Sequence, residues 1–221
     1  MMRIIINKLI DFLYKFKIWR WKKEYHLTHR LNILRKISAD IDGFQLSKQA
    51  RNNQDALEYV YGEIDPTSFA ALLTLVPINQ NTVFYDLGSG IGHTIILSAM
   101  LFDLKKSCGI EILGPLHQAA LIQTKRLSHL SLYKKLSSKI VCVQGNFLDI
   151  DFHDATLIYM NATAYFGDLW IALNQKLEAL PHCICIITTS KPLLTKAYTL
   201  HRTTHIQMNF GIVKAYIHHR R

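Results

Sequence analysis

Proline and glycine are scarce, with five and ten in 221 residues, which excludes collagen-like repeats and long disordered stretches. Cysteine is scarce too. Cys108, Cys142, Cys183 and Cys185 all lie in apolar runs, so they read as reduced, buried thiols rather than a disulfide frame. Cys183-x-Cys185, placed in a strand, would turn both thiols inward and reads as core rather than as a metal pair. No uninterrupted apolar stretch reaches the ~18 residues of a membrane-spanning helix. No small-residue cleavage site follows a compact apolar segment, so no secretory pattern is expected. Acids are outnumbered, 16 against 26 Lys and Arg. The excess is local: residues 1–36 hold ten basic residues against Asp11 and Glu24, and the remainder is nearly balanced.

What is present is ordinary apolar content for a globular protein, 49%, in a chain long enough for one α/β domain with an extension. The expected division is a basic helical extension over 1–40 and a single domain over 41–221. From Ile4 to Trp19 the spacing is helical: Ile6, Leu9, Leu13 and Phe16 share one face, opposite Lys8, Asp11, Lys15 and Lys22. This extension can pack on the domain, lie on an anionic membrane, or contact nucleic acid or a nucleosome, and the pattern leaves all three open.

The rest alternates strand and helix. Helices are expected over 45–60, from Pro66 to Pro77, and over 92–102, 115–130 and 166–180. Strands are expected over 82–86, 106–111, 139–144, 155–159 and 182–189. Such alternation predicts a mostly parallel sheet covered on both faces. The runs 199–208 and 211–219 are joined only by Asn209-Phe210-Gly211, so they must form an antiparallel hairpin. The expected architecture is therefore a Rossmann-like, seven-stranded α/β sheet with an antiparallel last strand.

The chemistry concentrates at the first two strand tips. Val83-Phe84-Tyr85-Asp86-Leu87-Gly88-Ser89-Gly90-Ile91-Gly92 is an apolar run that ends in an acid and opens into three alternate glycines. A second run, Cys108-Gly109-Ile110-Glu111, also ends in an acid. Strand, glycine loop, helix, strand and acid is how α/β folds hold adenosine-containing cofactors. Asp86 would repel the pyrophosphate of a dinucleotide but stabilise the ammonium and sulfonium of S-adenosylmethionine. The G-x-G-x-G spacing also departs from the dinucleotide fingerprint, G-x-G-x-x-G. Further tips bring in Gly145-Asn146-Phe147, Asn161 through Phe166, and Ser190. A metal site is not expected: His201 and His205 would share a strand face ~13 Å apart, too far for joint ligation, and His26 and His29 read as an exposed helix face.

Loop and topology resemble class I methyltransferases. Adding Tyr61-Gly62-Glu63, Gly145-Asn146-Phe147-Leu148 and Thr189-Ser190-Lys191-Pro192, the chain resembles, over roughly 59–193, the disruptor-of-telomeric-silencing family. These are the non-SET lysine methyltransferases that act on the histone H3 core. The resemblance implies that Tyr61, Glu63 and Ile64 close over the methionine end of S-adenosylmethionine. It implies that Asp86, Gly88, Ser89, Gly90 and Gly92 hold that moiety, that Glu111 binds ribose, and that Asn146 and Phe147 bind adenine. Asn161 would lie near the methyl group and the target amine, with Tyr165 as an aromatic wall and Tyr61 and Phe166 completing the acceptor channel.

Two positions depart from the family: Asn146 stands where Asp is usual, and Asn161-Ala162-Thr163 replaces Asn-Asn-Phe. The implied activity is protein-lysine N-methylation, with a protein substrate, inside the cell: cytoplasm, membrane surface or, for a histone acceptor, the nucleus. A membrane-associated enzyme acting on a non-histone lysine, an RNA methyltransferase and a small-molecule methyltransferase remain open.

Overall fold

The computed structural model describes residues 13, 15–51 and 61–221. Residues 15–24 are helical (α1), and a break at His26, in the left-handed region at φ 44°, precedes α2 (Leu27–Ile37). His26 thus lies between two helices and shares a face with neither. Ile6 and Leu9, read as part of one helical face with Leu13 and Phe16, lie outside the described residues.

Helix α3 (Gly43–Ala50) starts at Asp42, whose carboxylate accepts from the Gln45 N–H at 3.0 Å. It ends at Ala50 with a turn at Arg51, and the rest of the helix expected over 45–60 lies outside the described residues. Helix α4 (Pro66–Leu73) has Pro66 in its first turn and Asp65 as N-cap, accepting from the Ser68 N–H at 2.8 Å.

The sheet follows from a run of buried strands: β1 (Val83–Leu87), β2 (Lys106–Glu111), β3 (Ile140–Gln144), β4 (Leu157–Met160) and β5 (Cys185–Thr189). Each pairs in parallel with its neighbours, in the order β3-β2-β1-β4-β5. The hairpin β6 (Tyr198–Met208) and β7 (Gly211–Arg220) completes seven strands, with β7 inserted antiparallel between β5 and β6. Cys183 precedes β5 rather than standing within it, and both it and Cys185 are buried and free. A bulge between Leu200 and Arg202 shifts the phase of β6, and His201 stacks on His219 at 4.3 Å, while His205 pairs across from Lys214. His201 and His205 therefore do not share a face, and no metal-holding cluster exists among the described residues.

Period-two alternation splits the sheet into two cores. Phe84, Tyr159 and Ile187 face one side, with α2, α4 and α5 (His93–Leu101). Tyr85, Ile158 and Ile186 face the other, under Trp170, Leu173 and Leu177 of α8 (Gly167–Glu178). Helix α6 (Gly114–Ser128) packs on β2 and β3, and the short α7 (Lys134–Ser137) packs on α5 and α6. Leu27, Leu34 and Ile37 of α2 join the same core as Phe69 and Phe84.

Phe69 is buried edge-on against Phe84 at 6.2 Å and Tyr159 at 5.2 Å, joining α4 to the two central strands. Phe69→Ala is expected to lower stability by about 3–5 kcal/mol, read as a shift of the urea midpoint with unchanged slope.

Candidate functional site

Strand order reverses between β1 and β4, where open parallel sheets leave a crevice at the carboxyl ends of their strands. A cavity of about 570 Å³ opens there. A recess of about 40 Å³ adjoins it and shares Tyr61, Gly62, Gly88 and Asn161 with it.

The loop after β1 gives the floor. Gly88 and Gly90 have φ of 90° and 56°, and a side chain on either would collide with Tyr165 or Tyr61 respectively. Bare backbone is thus required on both sides of the site. Glu111 ties this loop down: one carboxylate oxygen accepts from the Gly90 N–H and the other from the Leu113 N–H, each at 2.8 Å. A carboxylate has about four acceptor positions, so Glu111 keeps capacity for two further hydroxyl donors. Burial raises its affinity for a proton, and the Leu113 and Gly90 N–H groups oppose that.

Asp86 sits deeper. The Thr94 hydroxyl donates to its Oδ2, while Oδ1 is buried without a partner and Asp86 lines the recess. Burial pushes its carboxyl up to about 7, with the Thr94 hydrogen bond opposing and the Glu111 charge adding to the rise. His93 Nε2 and Tyr159 Oη are likewise buried without partners beside the same recess. Such orphaned groups mark a place built for a polar ligand.

The opposite wall is the segment 61–65. Tyr61 donates its phenolic proton to Glu63, whose carboxylate lies 3.8 Å from His93 Nδ1. Burial, then the Glu63 charge, hold the Tyr61 proton on. Asn161 connects this segment to the sheet: its Nδ2 donates to the Gly62 carbonyl at 3.2 Å, and its Oδ1 accepts from the Thr163 and Thr189 hydroxyls at 2.8 and 2.7 Å. Those hydroxyls fix the amide orientation. Tyr165 donates to the Leu87 carbonyl at 2.9 Å and packs on Phe147, with ring centres 5.2 Å apart. Asn146 Oδ1 accepts from the Leu148 N–H at 2.9 Å, and Asn146 lines the cavity.

Twelve of the fourteen residues singled out above therefore meet around one space. Tyr61, Gly88, Glu111, Asn146, Phe147, Asn161 and Tyr165 line the cavity, and Glu63, Ile64, Asp86, Ser89 and Gly90 line the recess. Gly92 does not: it caps α5 and abuts Ala120. Phe166 is also absent from the walls, being exposed and lying 3.7 Å under the Lys191 ammonium. Phe44, Arg51, Asn209 and Phe210 line the cavity without having been expected. Asn209 reaches it because its side chain accepts from the Glu63 N–H at 2.9 Å, while its own N–H donates to the Glu63 carbonyl at 2.9 Å. The signal available for Phe210 was an aromatic at a hairpin tip, where solvation alone favours polar residues.

The family model described as "Histone methylation protein DOT1" matches residues 45–217. The chain belongs to this family. A histone-lysine N-methyltransferase, H3 lysine-79 specific, of Caenorhabditis elegans is 32% identical over 151 residues, covering 65% of this chain and 16% of that protein. A protein-lysine N-methyltransferase of Saccharolobus islandicus is 30% identical over 107 residues, covering 48% of this chain and 60% of its own. The chain thus spans less than two thirds of the length of either relative. Among solved structures, the m1A22 tRNA methyltransferase TrmK of B. subtilis superposes with a TM-score of 0.52 at 17% identity, over 72% of this chain and 66% of that one. That likeness is one of fold, the Rossmann-like arrangement described above.

The raised Asp86 carboxyl has a measurable consequence. It keeps its proton up to about pH 7 when folded, against an ordinary value of about 3.9 for a free aspartate. The folded state therefore binds the extra proton between those values, and stability falls as pH rises from about 4 to about 7. Asp86→Asn is expected to remove this fall and to melt higher than the parent at pH 8 without ligand. Parallel melting curves of the two proteins across pH would contradict it.

Proposed function

We propose that the chain is an S-adenosylmethionine-dependent protein-lysine N-methyltransferase. The observation that carries this reading is the partnerless Asp86 Oδ1 beneath a glycine loop in which a Cβ at Gly88 or Gly90 would collide with Tyr165 or Tyr61. Two buried carboxylates, Asp86 and Glu111, disfavour a phosphate-bearing ligand and favour a cationic one. The donor set fits. Asp86 and the recess would take the amino-acid end, Glu111 the ribose hydroxyls through its remaining lone pairs, and Asn146 with the Phe147 ring the adenine. When bound, S-adenosylmethionine supplies a methyl group on a cationic sulfur that departs as a neutral thioether.

The protein's own work is then alignment and desolvation. A lysine amine is protonated in water, with a pKa of about 10.4, and must enter the site neutral. Phe44, Leu169 and Phe210 are apolar walls that disfavour the ammonium, so the proton is lost on entry. Asn161, held by Thr163 and Thr189, presents its amide at the junction of cavity and recess. Its role is to hold the 61–65 wall and the incoming amine in line, at a near-attack separation of about 3–3.5 Å. Tyr61 keeps its phenolic proton, donated in a hydrogen bond to Glu63, and serves as a wall rather than a base. No dedicated general base is needed.

The acceptor is assigned to a protein lysine because both relatives named above act on lysine, and the lysine of a histone H3 core is the first candidate. Radiolabelled methyl transfer to nucleosomes with core histones, to whole-cell protein and to total RNA tests the reading. Label on protein lysine is expected, falling at least about tenfold with Asn161→Ala and vanishing with Gly90→Arg, whose side chain would enter the Tyr61 ring. Label on RNA alone would overturn the lysine assignment.

A further inference from the structure

Helix α1 carries apolar residues on two opposite faces. Trp21 and Tyr25 dock on the main core, with Tyr25 edge-on to Phe102 at 5.7 Å. At 100° per residue, Phe16 and Trp19 project about 140–160° away from Trp21, and Leu13, Phe16 and Trp19 are large apolar residues 48–55% exposed. Phe16 and Trp19 stack at 5.8 Å, and the Lys23 ammonium lies 5.2 Å over the Trp19 ring. Around this stripe stand the exposed Lys15, Lys17, Arg20, Lys22 and Lys23, against the single acid Glu24.

A docked helix needs one apolar face, and α1 has two. The catalytic reading uses neither, since α1 contributes nothing to the cavity. We propose that the outer face of α1 is a docking surface for an anionic lipid bilayer. Exposed aromatic rings ringed by cations are the chemistry of an interfacial helix: the rings enter the headgroup boundary and the cations meet acidic headgroups. A polyanion such as nucleic acid would engage the same cations, but it gives Leu13, Phe16 and Trp19 no apolar medium to enter. The charge distribution points the same way, because ten of the 26 basic residues fall within residues 1–36 while the domain behind them is nearly neutral. No helix among the described residues is long and apolar enough to cross a membrane.

Phe102 follows the C-terminal end of α5, at the sheet edge opposite the carboxyl ends of the strands. A bilayer beneath α1 would therefore leave the cavity mouth facing away from the lipid. Membrane residence and access of a bulky protein acceptor are compatible.

Co-sedimentation of the full chain with vesicles tests this. Binding is expected to vesicles containing phosphatidylglycerol and to be at least about tenfold weaker with phosphatidylcholine alone. It should weaken further as salt rises from about 0.1 M to about 1 M and the Debye length shortens from about 10 to about 3 Å. F16S/W19S, with melting temperature and S-adenosylhomocysteine binding as checks of the fold, is expected to lose at least about tenfold in vesicle binding. Independently of any variant, brominated acyl chains should quench the parent protein's tryptophan emission, since Trp19 is the ring left exposed. Three results would each overturn the proposal: no pelleting with acidic vesicles at low salt, pelleting without quenching, or equal pelleting by F16S/W19S. Binding of duplex DNA or RNA that F16S/W19S leaves intact, alongside unchanged vesicle pelleting, would reassign the surface to plain charge. Failure of methyl transfer would leave this surface untouched.

Discussion

The site depends on one constraint: two carboxylates buried at the tips of adjacent parallel strands, each held by very few hydrogen bonds. Glu111 spends one oxygen on the Gly90 N–H and the other on the Leu113 N–H, and so fixes the loop between β1 and α5 against the end of β2. Asp86 has only the Thr94 hydroxyl, leaving an oxygen with no protein donor. Burying a carboxyl this way is costly, and the cost is met by retaining the proton, which is why the Asp86 carboxyl rises to about 7. A cationic ligand would relieve the same cost by another route.

The remaining walls are arranged around that pair by contacts that are long in sequence and short in space. The 61–65 segment is attached to the β6–β7 hairpin by an Ile64–Met208 bridge, by the reciprocal Glu63–Asn209 hydrogen bonds and by the Asp65 N–H to the Gln207 carbonyl at 2.8 Å. Asn161 then clamps Gly62 from the β4 side. The inserted β7 strand therefore does more than close the sheet edge: its turn carries Phe210 to the cavity mouth, where Gly62 leaves space for the ring. Sheet topology and the lining of the cavity are linked through this hairpin.

Much of this was legible in the residues because strand tips are local. Asp86 and Glu111 each end an apolar run, and parallel pairing in register, Leu87 with Ile110, brings both to one edge without further information. The hairpin was legible for the same reason, since two residues cannot bridge parallel strands. What escaped depends on distant partners. Asn209 and Phe210 look like turn residues until the 61–65 segment is seen against them. Phe166 has the spacing of an inward-facing helix residue, yet it sits at the N-cap of α8 in extended backbone and points to Lys191. Gly92 belongs to the alternate-glycine pattern but serves helix packing against Ala120, a role that spacing alone does not separate from ligand contact. His201 was misjudged with His205 because the β6 bulge, invisible in side-chain alternation, changes which face each occupies.

The most direct test of the account is the titration of the Asp86 carboxyl itself, followed by carbon NMR of aspartate-labelled protein and assigned with Asp86→Asn. Without ligand, the account predicts a midpoint near pH 7. With saturating S-adenosylhomocysteine, whose ammonium would supply the missing partner, the midpoint should fall toward the ordinary aspartate value of about 3.9. A midpoint that stays unmoved by the ligand would mean that the buried carboxylate is not the seat of the cofactor's charge.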